Sequence, residues 1–422
     1  MLQAANEADV VAGVRLARER GWTVTVRSGG HSWAAWSLHD DSLLIDLAAL
    51  QELAMVSPGI AVASPAIKGG EQLNPFLREH GYLFPGGHCP TVGIGGFLTQ
   101  GGQGWNGRPW GWGCENVLGV DVVTADGELV HASADSHPDL YWAARGAGPG
   151  FFGVITRFHL TVHPLPSVFT QTVIVLPIES FDDVMTWAHD LLPTLDRRVE
   201  PVIVGTRLAP PGVDVGGGPL IVIATTGLFD SQDEAEREMT PLKTCPWLDR
   251  ALLFDFAAPV TWDVVNAIQT AQNPENHRYA TDCAWTDATA AELIPLLRPL
   301  YTDLPTPESF VIWYGWNPVR PLHDMAFSME ANVYLAAYAV WKTDEDDKRV
   351  MQWVTERFRA LEPVTKGVYL GDADLLRRPG KFMADANFAK LQRLRDSYDP
   401  NRRMPDYRIK PGVAPNTFEP AT

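Results

Sequence analysis

The sequence predicts an α+β chain in two parts, on three observations. Over 1–166, short alternating apolar runs of strand length are interleaved with short helices and with loops dense in paired glycines. From about Ser167 the runs lengthen, and strand-like segments alternate with amphipathic helices in the manner of a large antiparallel sheet backed by helices. At 422 residues the chain is also long enough to bury two cores of ordinary size.

In the first part, 9–20 reads as a helix with Val10, Val14 and Leu16-Ala17 on its apolar side, acids at its start, and Arg18, Arg20 and Gly21 at its end. An alternating strand over 23–26 runs into a glycine loop, 43–47 is a further strand, and 71–80 is a short helix closed by Gly81. Asp126-Gly127 between the apolar runs 117–123 and 128–132 predicts a hairpin with positive φ at both central positions. A helix over 138–145 and a strand over 154–162 complete this part.

In the second part, strands are expected at 170–176, 201–208, 220–226, 278–285, 309–316 and 327–341. Helices are expected at 181–192, 232–239, 260–270, 288–298 and 344–361. The acidic run Asp344-Glu345-Asp346-Asp347 precedes a helix, where carboxylates favour the positive end of the helix dipole, so it is read as a solvated helix start and no metal is assigned. A last helix covers 385–397, and the expected domains are 1–166, 167–366 and a C-terminal segment 367–422.

Composition narrows the partners. A formal charge of −17 without a basic stripe disfavours nucleic acid. No run of about 18 or more apolar residues offers a membrane span. Cys89, Cys114, Cys245 and Cys283 lack Cys-x-x-Cys spacing and neighbouring histidine clusters, so neither a zinc site nor a disulfide framework is indicated. The start of the chain has no basic region followed by an apolar run, so a cytoplasmic location is expected, as monomer or homodimer. Arginine outnumbers lysine 26 to 8, the compositional mark of a GC-rich bacterial genome.

The chemistry concentrates in four blocks. Arg27-Ser28-Gly29-Gly30-His31-Ser32 sits at a strand end, where glycines let the main chain approach a pyrophosphate. Gly86-Gly87-His88-Cys89-Pro90-Thr91-Val92-Gly93-Ile94-Gly95-Gly96 and Gly101-Gly102-Gln103-Gly104 follow, then Gly111-Trp112-Gly113-Cys114-Glu115-Asn116. The glycines over 93–104 lack the strand, Gly-x-Gly-x-x-Gly and helix context of a dinucleotide fingerprint, so a nicotinamide site is disfavoured. Taken singly, each glycine run is a turn, His31 a hydrogen-bonded structural residue and Cys114 a small buried hydrophobe.

In order, with Ala125-Asp126-Gly127-Glu128, the run His137 to Gly146 and Phe152-Gly153-Val154-Ile155-Thr156 behind them, these blocks resemble the berberine bridge enzyme-like branch of the vanillyl-alcohol oxidase superfamily over nearly the whole chain. The resemblance implies a PCMH-type FAD-binding domain of two α+β subdomains, a substrate domain with a large antiparallel sheet, and a C-terminal return to the FAD-binding domain. It also implies FAD held by two bonds, from His31 to the flavin 8α-methyl and from Cys114 to flavin C6. The residues it places around FAD are Arg27, Ser28, Gly29, Gly30, Ser32, Pro90, Thr91, Val92, Gly95, Gly96, Gly101, Gly102, Gly104 and Val154.

By the same resemblance the two tethers raise the flavin potential and leave the site open, which suits a bulky secondary metabolite or sugar-like substrate. Val92 falls at the family's oxygen gate, favouring O2 as acceptor, while Phe97 replaces a histidine common in that loop. Bacterial relatives place a catalytic tyrosine in a Tyr-x-Asn-Tyr run; the matching stretch here is Tyr369-Leu370-Gly371-Asp372. Asp372 is then the base, or Tyr369 or Tyr338 substitutes, or no strong base is needed. The tryptophans at 33, 36, 105, 110 and 112 are core residues or stacking faces for substrate. The expected activity is removal of hydride from an alcohol or hemiacetal carbon onto FAD, with O2 reduced to H2O2. Oxidative cyclisation, a flavin-binding protein without turnover and a non-covalent NADPH-dependent reductase are the alternatives, and Cys114 argues against the last.

Overall fold

The computed structural model describes residues 1–210, 212–213 and 216–419. It divides into two compact units, the first made of 1–165, 322–328 and 378–422, and the second of 166–321 and 329–377. This differs from the expected division in two places. The stretch 367–377 stays with the second unit, so the return begins at Arg378, and 322–328 belongs to the first unit although it lies inside the expected substrate domain. The last three residues of the expected C-terminal segment fall outside the described residues.

The first unit opens with the helix Glu7–Arg20. The Asn6 side chain accepts from the Asp9 N–H at 3.1 Å and the Asp9 carboxylate accepts from the Asn6 N–H at 3.2 Å, while Gly21 ends the helix at φ +70°. Val10, Val14 and Ala17 are buried with Val24, Ile45, Leu47 and Val154, whereas Leu16 is exposed. The adjoining sheet is parallel, in the order Leu2–Gln3, Ser42–Asp46, Thr23–Arg27. A second, antiparallel sheet runs Leu53–Ser57, Ile60–Ala63, Gly153–Thr161, Val117–Thr124, Leu129–Ser133. Its first two strands escape sequence reading because they are only four and five residues long, and the outer one is half exposed.

Two local expectations change. At the Asp126-Gly127 turn only Gly127 has positive φ, +77°, and its N–H reaches the Thr124 carbonyl at 2.9 Å while the Thr124 N–H reaches Glu128. That is a three-residue connection closed by a left-handed glycine, which leaves Asp126 outside the left-handed region. The helix expected at 71–80 is a π-helical turn, Gly69–Leu73, followed by Asn74–Glu79.

The second unit is a seven-stranded, wholly antiparallel sheet in the order Leu253–Pro259, Val168–Pro177, Leu220–Phe229, Val199–Thr206, Phe310–Gly315, Val333–Trp341, Arg278–Thr286. The helices Phe181–Leu191, Ala290–Thr302 and Asp347–Leu361 lay Val184, Met185, Leu293, Leu297, Val350, Val354 and Phe358 into one core with Ile174, Ile203, Ile223 and Trp313 of the sheet. The edge strand Leu253–Pro259 was not expected, because an edge with three partly buried and three exposed positions among seven carries little alternation. The strand expected from 327 begins at Val333. Of the acidic run, Asp347 opens its helix as expected, but its carboxylate is engaged rather than merely solvated, accepting from Arg278 Nε at 2.6 Å and Trp341 Nε1 at 2.7 Å.

Candidate active site

In the first unit the glycine blocks form one set of loops in main-chain contact. Gly29 abuts Gly93 so closely that a Cβ at Gly29 would lie 2.6 Å from the Gly93 nitrogen, and a Cβ at Gly95 would lie 2.8 Å from Ser28 Oγ. Ser28 Oγ accepts from the Gly96 N–H at 3.3 Å. Gly104 is pressed against the Pro85 and Gly86 carbonyls, and the Pro90 and Val92 carbonyls accept from Gly70 at 3.1 Å and Gly69 at 2.9 Å. Arg27 leads into these loops paired with the buried carboxylate of Asp46, whose pKa that guanidinium lowers. Ser32 Oγ accepts from the Trp36 N–H at 3.3 Å.

His31 Nε2 is 2.7 Å from Thr91 Oγ1, so the histidine of the first block and the threonine of the second are joined directly. The imidazole is exposed by surface area, yet protein crowds it. Its pKa is lowered by that desolvation first and by the Lys68 charge second, which favours the neutral, nucleophilic ring.

Cys114 is fully buried, with its Sγ 3.6 Å from Met325 Sδ. Its N–H donates to the Gly101 carbonyl and that of Gly113 to the Gly102 carbonyl, both at 2.8 Å, so the third and fourth blocks are also joined. Asn116 Nδ2 donates to the Trp110 and Trp112 carbonyls at 3.2 and 3.0 Å, and its Oδ1 is 2.7 Å from His163 Nε2. The His163 ring stacks on Trp110 at 4.4 Å and 3°, and burial pushes its pKa down to about 4, so it is neutral and donates through Nε2–H.

The segment 322–328 is the part of this region that sequence reading missed. It brings Met325 to Cys114 and seats Phe327 against Trp112, ring centroids 4.2 Å apart, where Gly101 and Gly146 have no side chain to obstruct it. Phe97 fills the equivalent space beside Gly102 and Gly113. Val154 pairs with Val123 in the sheet and its side chain lies in the core with Val10 and Ile45. Of the tryptophans, Trp105 and Trp112 are buried and Trp110 is engaged by His163.

These loops fit FAD. A Cβ at Gly96 would meet nothing nearer than Gln100 Nε2 at 3.5 Å, and one at Gly30, where φ is +71°, nothing nearer than Arg27 Cδ at 3.6 Å, so at both the main chain is uncrowded, with only side-chain atoms at ordinary contact distance. Gln100 Oε1 is buried without a hydrogen-bond partner, and the ring N–H and ribityl hydroxyls of FAD are donors of the kind it lacks.

The second unit holds a carboxylate and phenol cluster. Asp372 Oδ2 accepts from Tyr334 Oη at 2.5 Å and Tyr338 Oη at 3.0 Å. The two tyrosines are four residues apart on the strand Val333–Trp341 and so share a face. Crowding first, and the Asp372 charge second, raise both phenols well above their ordinary pKa, so both stay protonated at neutral pH. Tyr338 and Asp372 keep some exposed surface and Tyr334 has almost none. Tyr369, expected as an alternative base, has its main chain held by Cys283 Sγ at 3.2 and 3.3 Å and its ring edge-on to Tyr334. Tyr334 was not singled out from sequence, although the Tyr-x-x-x-Tyr spacing on an apolar strand is a legible signal.

Glycine loops of this kind suit an FAD-binding flavoprotein, and comparison with known proteins agrees. Residues 1–133 match a family model described as an FAD binding domain. The FAD-linked oxidoreductase ptmO of Penicillium ochrochloron is 33% identical over 402 residues, covering 94% of this chain and 88% of the relative. The Bacillus subtilis protein YvdP, described as an uncharacterized FAD-linked oxidoreductase, is 26% identical with the same coverage of each. The chain belongs to the family of FAD-linked oxidoreductases.

The fold is shared with 6-hydroxy-D-nicotine oxidase from Arthrobacter nicotinovorans, with a TM-score of 0.83, 22% identity and coverage of 97% of this chain and 91% of that one. Berberine bridge enzyme from Eschscholzia californica gives 0.82, 18%, 99% and 90%. Xylooligosaccharide oxidase from Myceliophthora thermophila gives 0.81, 19%, 100% and 91%. At these identities the likeness establishes the PCMH-type α+β fold. That a fungal relative matches at higher identity than the Bacillus protein gives no support to the bacterial source expected from the arginine excess.

Proposed function

We propose that the protein is an oxidase that removes a hydride from an alcohol or hemiacetal carbon of a secondary metabolite or sugar-like molecule. In this reading FAD is held by His31 and Cys114, and O2 is the final acceptor. Bound FAD supplies the hydride acceptor, and O2 restores it with release of H2O2. The observation that carries the reading is the pairwise joining of the four sequence blocks, His31 with Thr91 and Cys114 with Gly101, within one set of glycine loops.

Each residue has a task in this reading. Thr91 engages His31 Nε2, which leaves Nδ1 as the nitrogen for the flavin methyl. Asn116 and His163 hold the turn that carries the buried Cys114 thiol. The substrate hydroxyl gives its proton to Tyr338 Oη as the phenol proton moves to Asp372 Oδ2, and Tyr334 holds the carboxylate in place. The raised pKa of both tyrosines supports a protonated phenol over a bare phenolate as the resting form in this reading. The fold neighbours are named for a hydroxynicotine, a berberine bridge and a xylooligosaccharide, so the scaffold by itself does not select the substrate.

The test is acid precipitation of the purified protein, followed by mass spectrometry of its tryptic peptides. The expected result is a yellow pellet with one FAD joining the His31 and Cys114 peptides. Flavin found wholly in the supernatant overturns the tethered reading and moves the reductase and binding-protein alternatives ahead. Peroxide detection over a panel of alcohols and sugars then tests the oxidase activity, and the product mass separates a ketone or lactone from a ring closure.

A further inference from the structure

The first unit carries a second cluster of donor groups, on its antiparallel sheet, for which the flavin chemistry has no use. Asp121 on the strand Val117–Thr124 is paired in register with His131 on Leu129–Ser133 and with Arg157 on Gly153–Thr161, so all three project from one face, together with His159 two residues beyond Arg157. Asp121 Oδ1 lies 2.7 Å from His131 Nδ1 and 3.3 Å from His159 Nε2, and the three ligand atoms fall within 4.8 Å of one another.

We propose that Asp121, His131 and His159 form a zinc(II) site that staples these three strands. Two imidazole nitrogens and one carboxylate oxygen are a usual donor set for zinc. Tetrahedral bonds of about 2.0–2.1 Å place ligand atoms about 3.3 Å apart, so the observed separations need only side-chain adjustment. The fourth position is open to water, because the His131 side chain is 50% exposed.

Three further features favour a cation here. Arg157 Nη1 holds the other carboxylate oxygen, Oδ2, at 2.5 Å, which fixes Asp121 as a ligand through Oδ1 alone. The Arg157 guanidinium is itself shared among three carboxylates, those of Asp121, Glu52 at 2.7 Å and Glu7 at 3.6 Å, so the ionised groups of this cluster carry an excess of negative charge. Gly119, which pairs with His159, leaves the space that the His131 ring occupies: a Cβ there would lie 3.1 Å from His131 Cε1. Sequence reading has no signal for this site, since its ligands lie on three separate strands with no metal-binding spacing.

The test uses the flavin-loaded full chain with Zn(II) or Co(II) as the sole added metal, followed by equilibrium dialysis and by the ligand-field bands of tetrahedral Co(II), which lie to the red of flavin absorption. The expected result is one ion per chain, an affinity at least about tenfold lower in His131→Ala and in His159→Gln, and a Zn(II)-dependent rise in melting temperature that both variants lose. His131 is exposed enough for its alanine variant to fold, and a metal-free melt verifies this. No uptake by the wild-type chain overturns the proposal, as does uptake that survives in the double variant. Neither readout depends on substrate turnover or on how FAD is attached.

Discussion

Asp372 is where single-residue chemistry is most concentrated in the second unit. Two phenols donate to one of its oxygens, and one of those phenols retains surface. If this cluster takes the substrate proton, Asp372→Asn lowers the rate of flavin reduction about 10²–10⁴-fold under anaerobic stopped flow. Tyr338→Phe should have a comparable effect and Tyr334→Phe a smaller one, because Tyr334 only positions the carboxylate. Equal reduction rates in Asp372→Asn and wild type would remove Asp372 from the chemistry. The sequence marked Asp372 as a candidate through its place in the Tyr-x-Asn-Tyr match. It did not mark Tyr334, or the sharing of Asp372 by Tyr334 and Tyr338, since those hydrogen bonds follow from how strand and turn pack.

At the scale of elements, the turn bearing Cys114 is held by contacts with His163, 49 positions on in the chain. His163 is neutral when folded, with a pKa near 4, and buried His88 is likewise depressed to about 4 by desolvation. In the unfolded chain an imidazole takes up its proton near pH 6.5. Between about pH 6.5 and 4 the unfolded state therefore binds more protons, and stability falls as pH falls through that window. The melting temperature should drop from pH 7 to pH 5, and His163→Gln should show a shallower drop from a lower starting point. A slope unchanged in the variant would exclude His163 as a contributor.

Asp121 acts lower on the pH scale. Burial alone would raise its pKa, but hydrogen bonds from His159, His131 and Arg157 outweigh that and hold it well below the ordinary carboxylate range. Its contribution is complete above about pH 3.9 and is lost as pH falls toward its folded pKa. Acid unfolding of Asp121→Asn should therefore be less steep below pH 4 than that of the wild type, measured by far-UV circular dichroism.

On the scale of the whole molecule, the first unit is assembled from three stretches of chain, and the helix Asp385–Tyr398 belongs to its last stretch. Arg395 on that helix is fully buried and donates to the Gly150 carbonyl at 2.6 Å and the Met404 carbonyl at 2.9 Å, joining the last stretch to the first. Arg395→Met keeps much of the volume but leaves both carbonyls without their donor, a loss of about 3 kcal/mol in urea unfolding. An unfolding midpoint within error of wild type would show that this tie is dispensable.

The sequence by itself determined the two-part α+β plan, most helices and strands, the glycine loops and the FAD-binding character of the first part. Those depend on local periodicity and on residues that fit tight main-chain contacts, both of which are written along the chain. Only the tertiary structure decided that 322–328 joins the FAD-binding unit beside Cys114, that Tyr334 shares Asp372 with Tyr338, that Val154 is a core residue, and that Asp121 gathers two histidines. The reason is the same in each case: sheet register and segment docking bring together residues tens to hundreds of positions apart, and local sequence pattern does not encode long-range pairing.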